Sequence, residues 1–191
     1  MLNFEELSDK AEQITFFFTD VDGTLTDGTA FYSAQGEYLK RFSFRDGAGF
    51  YLLNKLGITG GMITRENSEI VSRRAEKLQL KYCFLGIKNK LKFLEDFMLS
   101  QNCTLANLAY IGDDLNDLDV LSKCGLSFCP NDAVDAVKKE VDVICKSNGG
   151  FGAFRDAVEY LIFLKNEKII DIFNKTCEIN NLCFVALREK S

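Results

Sequence analysis

The chain has 191 residues, 47% hydrophobic and 27% charged, which suits one soluble globular domain with a substantial core. A net charge of -5 without a long basic run argues against nucleic acid, and no apolar run approaches the ~20 residues of a membrane span. The lack of any histidine excludes Ser-His-Asp and Cys-His catalysis and argues against zinc, while seven irregularly spaced cysteines fit reduced thiols in a cytoplasmic protein.

Met1 to Lys10 carries acids and no apolar signal core, so no secretory peptide is expected. Asn3 to Gln13 reads as a short helix with Phe4 and Leu7 on one side. Ile14 to Thr19 is the first strand, and its run Phe16-Phe17-Phe18 reads as buried on both faces. It ends in Asp20-Val21-Asp22-Gly23-Thr24. Alternate strand side chains share a face, so Asp20 and Asp22 can point the same way. Two carboxylates at the edge of a core are costly unless a cation joins them, a first hint of a metal and a phosphate.

Asp27-Gly28 opens a turn, and Thr29 to Tyr32 and Glu37 to Phe44 read as a hairpin around Ser33-Ala34-Gln35-Gly36. Tyr38, Phe42 and Phe44 are bulky for a protruding element. Two readings stay open: they fold back on the core, or they meet another subunit. Asp46 is a plausible N-cap for a helix to about Leu56, stopped by Gly57. Ile58 to Ile63 is a strand ending at Thr64, and Asn67 or Ser68 caps a helix through Leu78. Tyr82 to Leu85 is a short strand, and Asn89 to about Leu99 is helical. Leu108 to Ile111 is a strand ending in Gly112-Asp113-Asp114, followed by a helix from Leu115 to Lys123. Then come a strand from Leu126 to Cys129, a helix from Ala133 to Lys139 and a strand from Val141 to Ile144. After a loop at Gly149 to Gly152, a long amphipathic helix runs from Phe154 to about Leu164. Residues 166–191 read as a less regular extension of a single domain over residues 1–165. In it, Ile169, Ile170, Ile172 and Phe173 could continue the helix, and Cys183, Phe184, Val185 and Leu187 could dock on the core or on a neighbour.

Strands alternating with helices indicate an α/β fold with a largely parallel sheet, whose ligands bind beyond the carboxyl ends of the strands. Asp20, Thr64 and Asp113 each sit at such an end, so three separate stretches deliver polar groups to one rim.

Asp20-Val21-Asp22-Gly23-Thr24 has the form D-x-D-x-T and resembles the first motif of the haloacid dehalogenase superfamily, most of whose members are phosphatases. Thr64 is similar to the second motif, Lys90 to the third and Ile111-Gly112-Asp113-Asp114-Leu115-Asn116-Asp117 to the fourth. The resemblance implies a Rossmannoid three-layer sandwich. It also implies roles: Asp20 attacks phosphorus and forms an aspartyl-phosphate, and Asp22 acts as acid and base. Thr64 donates to a phosphoryl oxygen and Lys90 balances charge. Mg2+ is held by the carboxylates of Asp20 and Asp113 and the backbone carbonyl of Asp22, with Asp114 and Asp117 supporting its shell. Physical chemistry agrees, because a carboxylate approaching a phosphate dianion meets repulsion that a hard divalent cation removes. Singly, each group has a plainer reading as turn former, helix cap or surface lysine. Together and in order, they favour the catalytic one.

The gaps from Thr24 to Thr64 and from Thr64 to Lys90 have no room for a cap domain. This layout resembles the 3-deoxy-D-manno-octulosonate (KDO) 8-phosphate phosphatases, as do Thr26-Asp27-Gly28, Phe44-Arg45-Asp46-Gly47 and the run from Gly149 to Arg155. The resemblance implies a sugar acid phosphate substrate feeding surface-glycan synthesis. It also implies a homotetramer in which hairpins meet centrally and a neighbour covers each site. One departure is Thr64-Arg65-Glu66 in place of Thr-Gly-Arg. Glu66 and Lys77 look more like the branch acting on nonulosonate (sialic-acid-type) 9-phosphates. Arg45, Arg65, Arg73 and Arg74 are candidates to meet the substrate carboxylate. Two rivals are a receiver-like phospho-accepting domain and a non-catalytic module similar to the C-terminal part of some sialate cytidylyltransferases. Receivers place the phosphorylated aspartate after the third strand, and intact Asp20, Asp22, Lys90 and Asp113 speak against lost activity.

Overall fold

The strand Phe16–Thr19 (β1) lies inside a six-stranded sheet and is buried along its whole length. The computed structural model describes residues 3–170 and 172. In chain order the elements before the sheet's second strand are Phe4–Glu12 (α1), β1, Ala30–Ser33 (β2), Gly36–Lys40 (β3) and Phe44–Lys55 (α2). Then follow Thr59–Ile63 (β4), Glu69–Lys77 (α3), Tyr82–Phe84 (β5), Lys90–Ser100 (α4) and Leu108–Ile111 (β6). The chain continues through Leu118–Leu121 (α5), Leu126–Cys129 (β7), Asp135–Glu140 (α6), Val143–Ile144 (β8) and Ala153–Leu164 (α7). The sheet order is β5-β4-β1-β6-β7-β8 with every pairing parallel, and β2 and β3 form a separate antiparallel hairpin.

Parallel strands need crossovers, and these place helices on both faces. Phe17 points into one core with residues of α1, α2, α3 and α7, among them Leu53, Val71 and Phe154. Phe16 and Phe18 point into the other with residues of α4, α5 and α6, among them Leu94, Val120 and Val137. The two-residue period of the strand thus divides three consecutive phenylalanines between two layers of a three-layer sandwich. Phe17 and Phe18 are fully buried, which stabilises the fold by roughly 1.5–3 kcal/mol for each ring. β1 pairs with β4 on one side and β6 on the other, so the ends of all three strands meet at one rim.

Several boundaries differ from the sequence reading, among them the second hairpin strand, which ends at Lys40 rather than Phe44, and two differences bear on the site. α2 starts at Phe44 rather than after Asp46, because the Ser43 Oγ accepts the Arg45 N–H at 3.1 Å as N-cap. Asp46 is instead buried and accepts the Arg155 N–H at 3.0 Å, tying α2 to the start of α7. The helix expected from Leu115 opens with a 3-10 turn, Leu115–Asp117, before α5. Asp114 caps that turn, and Asp117 is drawn into the interior by partners described below.

One of the aromatics read as part of the hairpin folds back on the core and the others face solvent. Phe42 packs on the core, while Tyr32, Tyr38 and Phe44 remain 72%, 74% and 80% exposed. Ile169 and Ile172 pack against the core below α7. The expectations for Phe173 and for Cys183 to Leu187 lie outside the described residues. No described helix is long and apolar enough to cross a membrane.

Candidate active site

Asp20 follows β1 directly and is almost fully buried, its backbone N–H donating to the Ile111 carbonyl at 2.9 Å. The chain then turns tightly, with the amides of Thr24, Leu25 and Thr26 all donating to the Val21 carbonyl. Gly23 sits at φ +95°, and a Cβ there would lie 2.0 Å from the Asp113 Oδ2. Glycine is needed for the backbone conformation and for the approach of that carboxylate. The Thr24 hydroxyl donates to the Asp113 Oδ1 at 3.2 Å.

Lys90 opens α4, whose N-cap Asn89 accepts the Lys92 N–H at 2.9 Å. From there its buried ammonium reaches the Asp20 Oδ1 and, at 2.7 Å, the Asp117 Oδ1. The Tyr110 hydroxyl donates to the same Asp117 oxygen at 2.6 Å. Gly112 makes room for this group, since a Cβ there would lie 2.4 Å from the Asp117 Cγ. One carboxylate oxygen from each of Asp20, Asp113 and Asp117 lies within 4.8 Å of the others.

This cluster carries more negative charge than Lys90 neutralises. Burial and then the field of Asp117 hold the Asp20 carboxyl well above the usual range, only partly offset by Lys90. Burial and Asp117 likewise push Asp113 up to about 7. Burial disfavours the charged form of Lys90, but Asp20 and Asp117 outweigh it and its pKa rises. Asp117 Oδ2 is buried without a hydrogen-bond partner among the described residues. Hard, closely spaced carboxylate oxygens with surplus charge fit a divalent cation such as Mg2+.

Thr64 directly follows β4 and is buried; its hydroxyl oxygen accepts the Glu66 N–H at 3.1 Å. A cleft of about 710 Å3 opens over the rim, lined by Asp20, Asp22, Thr64, Arg65, Glu66, Lys88, Asp114, Leu115 and Asn116. Asp114 is exposed on its lip, where it accepts the Leu115 N–H at 2.7 Å.

The remaining substrate candidates stand apart from this cleft. Arg45 lines another depression, with Phe151 and Arg155. Arg73 is exposed and pairs with Glu69 at 3.0 Å. Arg74 donates to the Ser43 carbonyl at 3.0 Å and lies over the rings of Phe42 and Phe44. Lys77 lies 6.0 Å from the Phe44 ring centroid. Sequence reasoning missed Lys40, whose ammonium is buried against Asp22, and Tyr110, which holds Asp117. A lysine closing a hairpin strand three residues after Glu37 was the available signal for the first.

Residues 63–155 match the family model for haloacid dehalogenase-like hydrolases. Over 156 residues the chain is 40% identical to the KDO 8-phosphate phosphatase of Haemophilus influenzae, covering 82% of this chain and 87% of that protein. This chain belongs to the KDO 8-phosphate phosphatase family of haloacid dehalogenase-like hydrolases. The Escherichia coli K12 member of the family is 34% identical over 158 residues, covering 83% of this chain and 84% of its own. Among solved structures, the cobalt-bound H. influenzae family member matches with TM-score 0.81 and 37% identity over 86% of this chain and 99% of that one. The Moraxella catarrhalis member, in complex with magnesium, phosphate and KDO, matches with TM-score 0.84 and 33% identity over 91% of this chain and 99% of that one.

Proposed function

We propose that this chain is a Mg2+-dependent phosphomonoesterase that removes phosphate from KDO 8-phosphate. The observation that carries the reading is the convergence of Asp20, Asp113 and Asp117 around the Lys90 ammonium at one rim of the sheet, in a chain of this family. Asp20 attacks phosphorus, an Asp20–phosphorus bond forms and the bond from phosphorus to the sugar oxygen breaks. Asp22 gives its proton to the leaving oxygen. Asp22 then takes a proton from water as that water attacks phosphorus and releases inorganic phosphate from Asp20. The Thr64 hydroxyl and the Lys90 ammonium bind the phosphoryl oxygens through the transfer. Asp20, Asp113 and the Asp22 carbonyl would hold the Mg2+, with Asp114 and Asp117 around them. When bound, the cation neutralises repulsion between the carboxylate and the phosphate dianion.

Arg65 and Glu66 on the cleft wall are the nearest of our candidates to read the sugar acid. Arg45, Arg73, Arg74 and Lys77 reach substrate only if supplied from a neighbour. A homotetramer built through the hairpin would do this, and the exposed Tyr32 and Tyr38 support it. Residues 1–165 form the phosphatase domain, residues 166–191 extend it, and the enzyme works in the cytoplasm on a soluble sugar phosphate.

The deciding experiment compares turnover on KDO 8-phosphate and on nonulosonate 9-phosphates, with and without Mg2+. We expect Mg2+-dependent phosphate release, fastest on the eight-carbon substrate. Preference for the nine-carbon acids would move the substrate to the branch that Glu66 resembles. No release from any of them would overturn the reading. Mass in solution tests the tetramer: Y32D/Y38D should lower it.

A further inference from the structure

Lys40 ends β3 in a hairpin whose large apolar side chains face solvent, yet its own side chain is only 3% exposed. Its ammonium is held between the Asp22 Oδ1 and, at 3.0 Å, the Glu37 Oε1. The other oxygen of Glu37 accepts a hydrogen bond from the Ser68 hydroxyl, at the N-cap of α3. One chain of polar groups thus runs from Asp22 through Lys40 and Glu37 to Ser68. It joins the D-x-D loop, the hairpin and the helix that follows Thr64. A buried ammonium is costly unless paired and hydrogen-bonded. Burial alone would lower the pKa of Lys40, but its bonds to Asp22 and Glu37 raise it overall.

We propose that Lys40 is a positioning residue that sets the Asp22 carboxylate for proton transfer. The inference rests on the acid–base role given to Asp22 above. Among the described residues Lys40 is the one side chain bonded to the Asp22 carboxylate. A carboxylate with one partner turns freely about its side-chain bonds when that partner is lost. Displacing a reacting group by ~1 Å can lower a rate 10²-fold. Lys40 occupies Oδ1, and Oδ2 is buried with no hydrogen-bond partner among the described residues, which leaves it as the oxygen to carry the transferred proton. Its polar partners among the described residues are Asp22 and Glu37, so the nucleophile Asp20 and the acids Asp113 and Asp117 keep their own partners without it.

The test separates proton transfer from general damage by the leaving group. A sugar alkoxide needs a proton to depart, whereas p-nitrophenolate leaves without one. K40M should lower kcat/KM for the sugar phosphate by about 10²-fold and change that for p-nitrophenyl phosphate by less than about 3-fold. D22N is measured alongside and should show the same selectivity. If D22N lacks it, the acid–base assignment of Asp22 fails. If D22N shows it while K40M lowers both substrates equally or neither, Lys40 is structural and the present inference fails. Should K40M not fold, E37A decides: it keeps the ammonium but frees it on one side. A fall of about 3- to 10-fold on the sugar phosphate alone supports positioning. Equal losses, or none, overturn it.

Discussion

The Lys90 ammonium lies 2.7 Å from the Asp117 carboxylate, and neither side chain has any exposure to solvent. The same ammonium bonds Asp20, so one cation holds together acids delivered by two different strand ends. Breaking a buried pair leaves an uncompensated charge, a loss of roughly 3–5 kcal/mol. K90M should therefore be destabilised by about that much and inactive. Mg2+ should restore more stability to K90M than it adds to the unmodified protein, because a second source of positive charge then matters more. Urea unfolding with and without Mg2+ measures both effects.

D20N should lose at least about 10³-fold in turnover, since it removes the carboxylate we propose as the nucleophile. Its metal-free thermal midpoint should be no lower than that of the unmodified protein. Burial and Asp117 already disfavour ionised Asp20, so a neutral amide relieves repulsion as it gives up the bond to Lys90. A large drop in thermal midpoint would contradict this account of the cluster.

Mg2+ affinity should depend on pH in a definite direction. With Asp113 pushed up to about 7 in the metal-free protein, the cation must displace a proton to bind at lower pH. Apparent affinity should tighten as pH rises through about 7, with protons released on binding, and Asp20, also held well above the usual range, acts in the same direction. Calorimetric titration in buffers of different ionisation enthalpy reads this directly. Chelation with EDTA should stop phosphate release, and added Mg2+ should restore it.

G112A tests the space given to Asp117. Its Cβ would fall 2.4 Å from the Asp117 Cγ, so the carboxylate must move away from Lys90 and Tyr110. Overpacking of this kind costs about 1–3 kcal/mol. The Mg2+ concentration for half-maximal activity should rise in parallel.

Asp46 gives the fold a pH dependence of its own, apart from the acids gathered around Lys90. Burial, with a smaller contribution from Asp156, pushes its carboxyl up to about 6 against the bonds from the α7 amides. A raised carboxyl stabilises fully below the unfolded value near 4, and that contribution is lost as pH rises through about 6. The loss is on the order of 3 kcal/mol at most. D46N should remove it. The stability difference between D46N and the unmodified protein should change between pH 4 and 7, and parallel curves would refute the assignment.

The rim that gathers Asp20, Thr64 and Asp113 was legible because each of these follows an apolar run. Phe16 to Thr19, Thr59 to Ile63 and Leu108 to Ile111 announce strands, and the polar residue after each must lie at a strand end. For Lys40 the spacing from Glu37 was the one local signal, and a lysine in an alternating hairpin otherwise reads as solvated, since only the tertiary seat against Asp22 buries it. The start of α2 was missed for a related reason. Asp46 has the chemistry of an N-cap but satisfies the amide of Arg155, 109 residues away, while Ser43 takes the local cap. Tyr110 reads as a strand residue with a core ring, and nothing local shows that its hydroxyl meets Asp117.

The sheet order also governs when the enzyme exists. β1 finds its partners in β4 and β6, so Phe16 waits for Thr59 on one side and Leu108 on the other. Such long-range pairings close late in folding. A nascent chain therefore exposes its three consecutive phenylalanines from early in synthesis and shields them only after β6 has emerged. Asp113 follows β6, so Asp20 gains that neighbour no sooner, and Phe17 still waits for Phe154, which leaves the last shielding of the strand to α7.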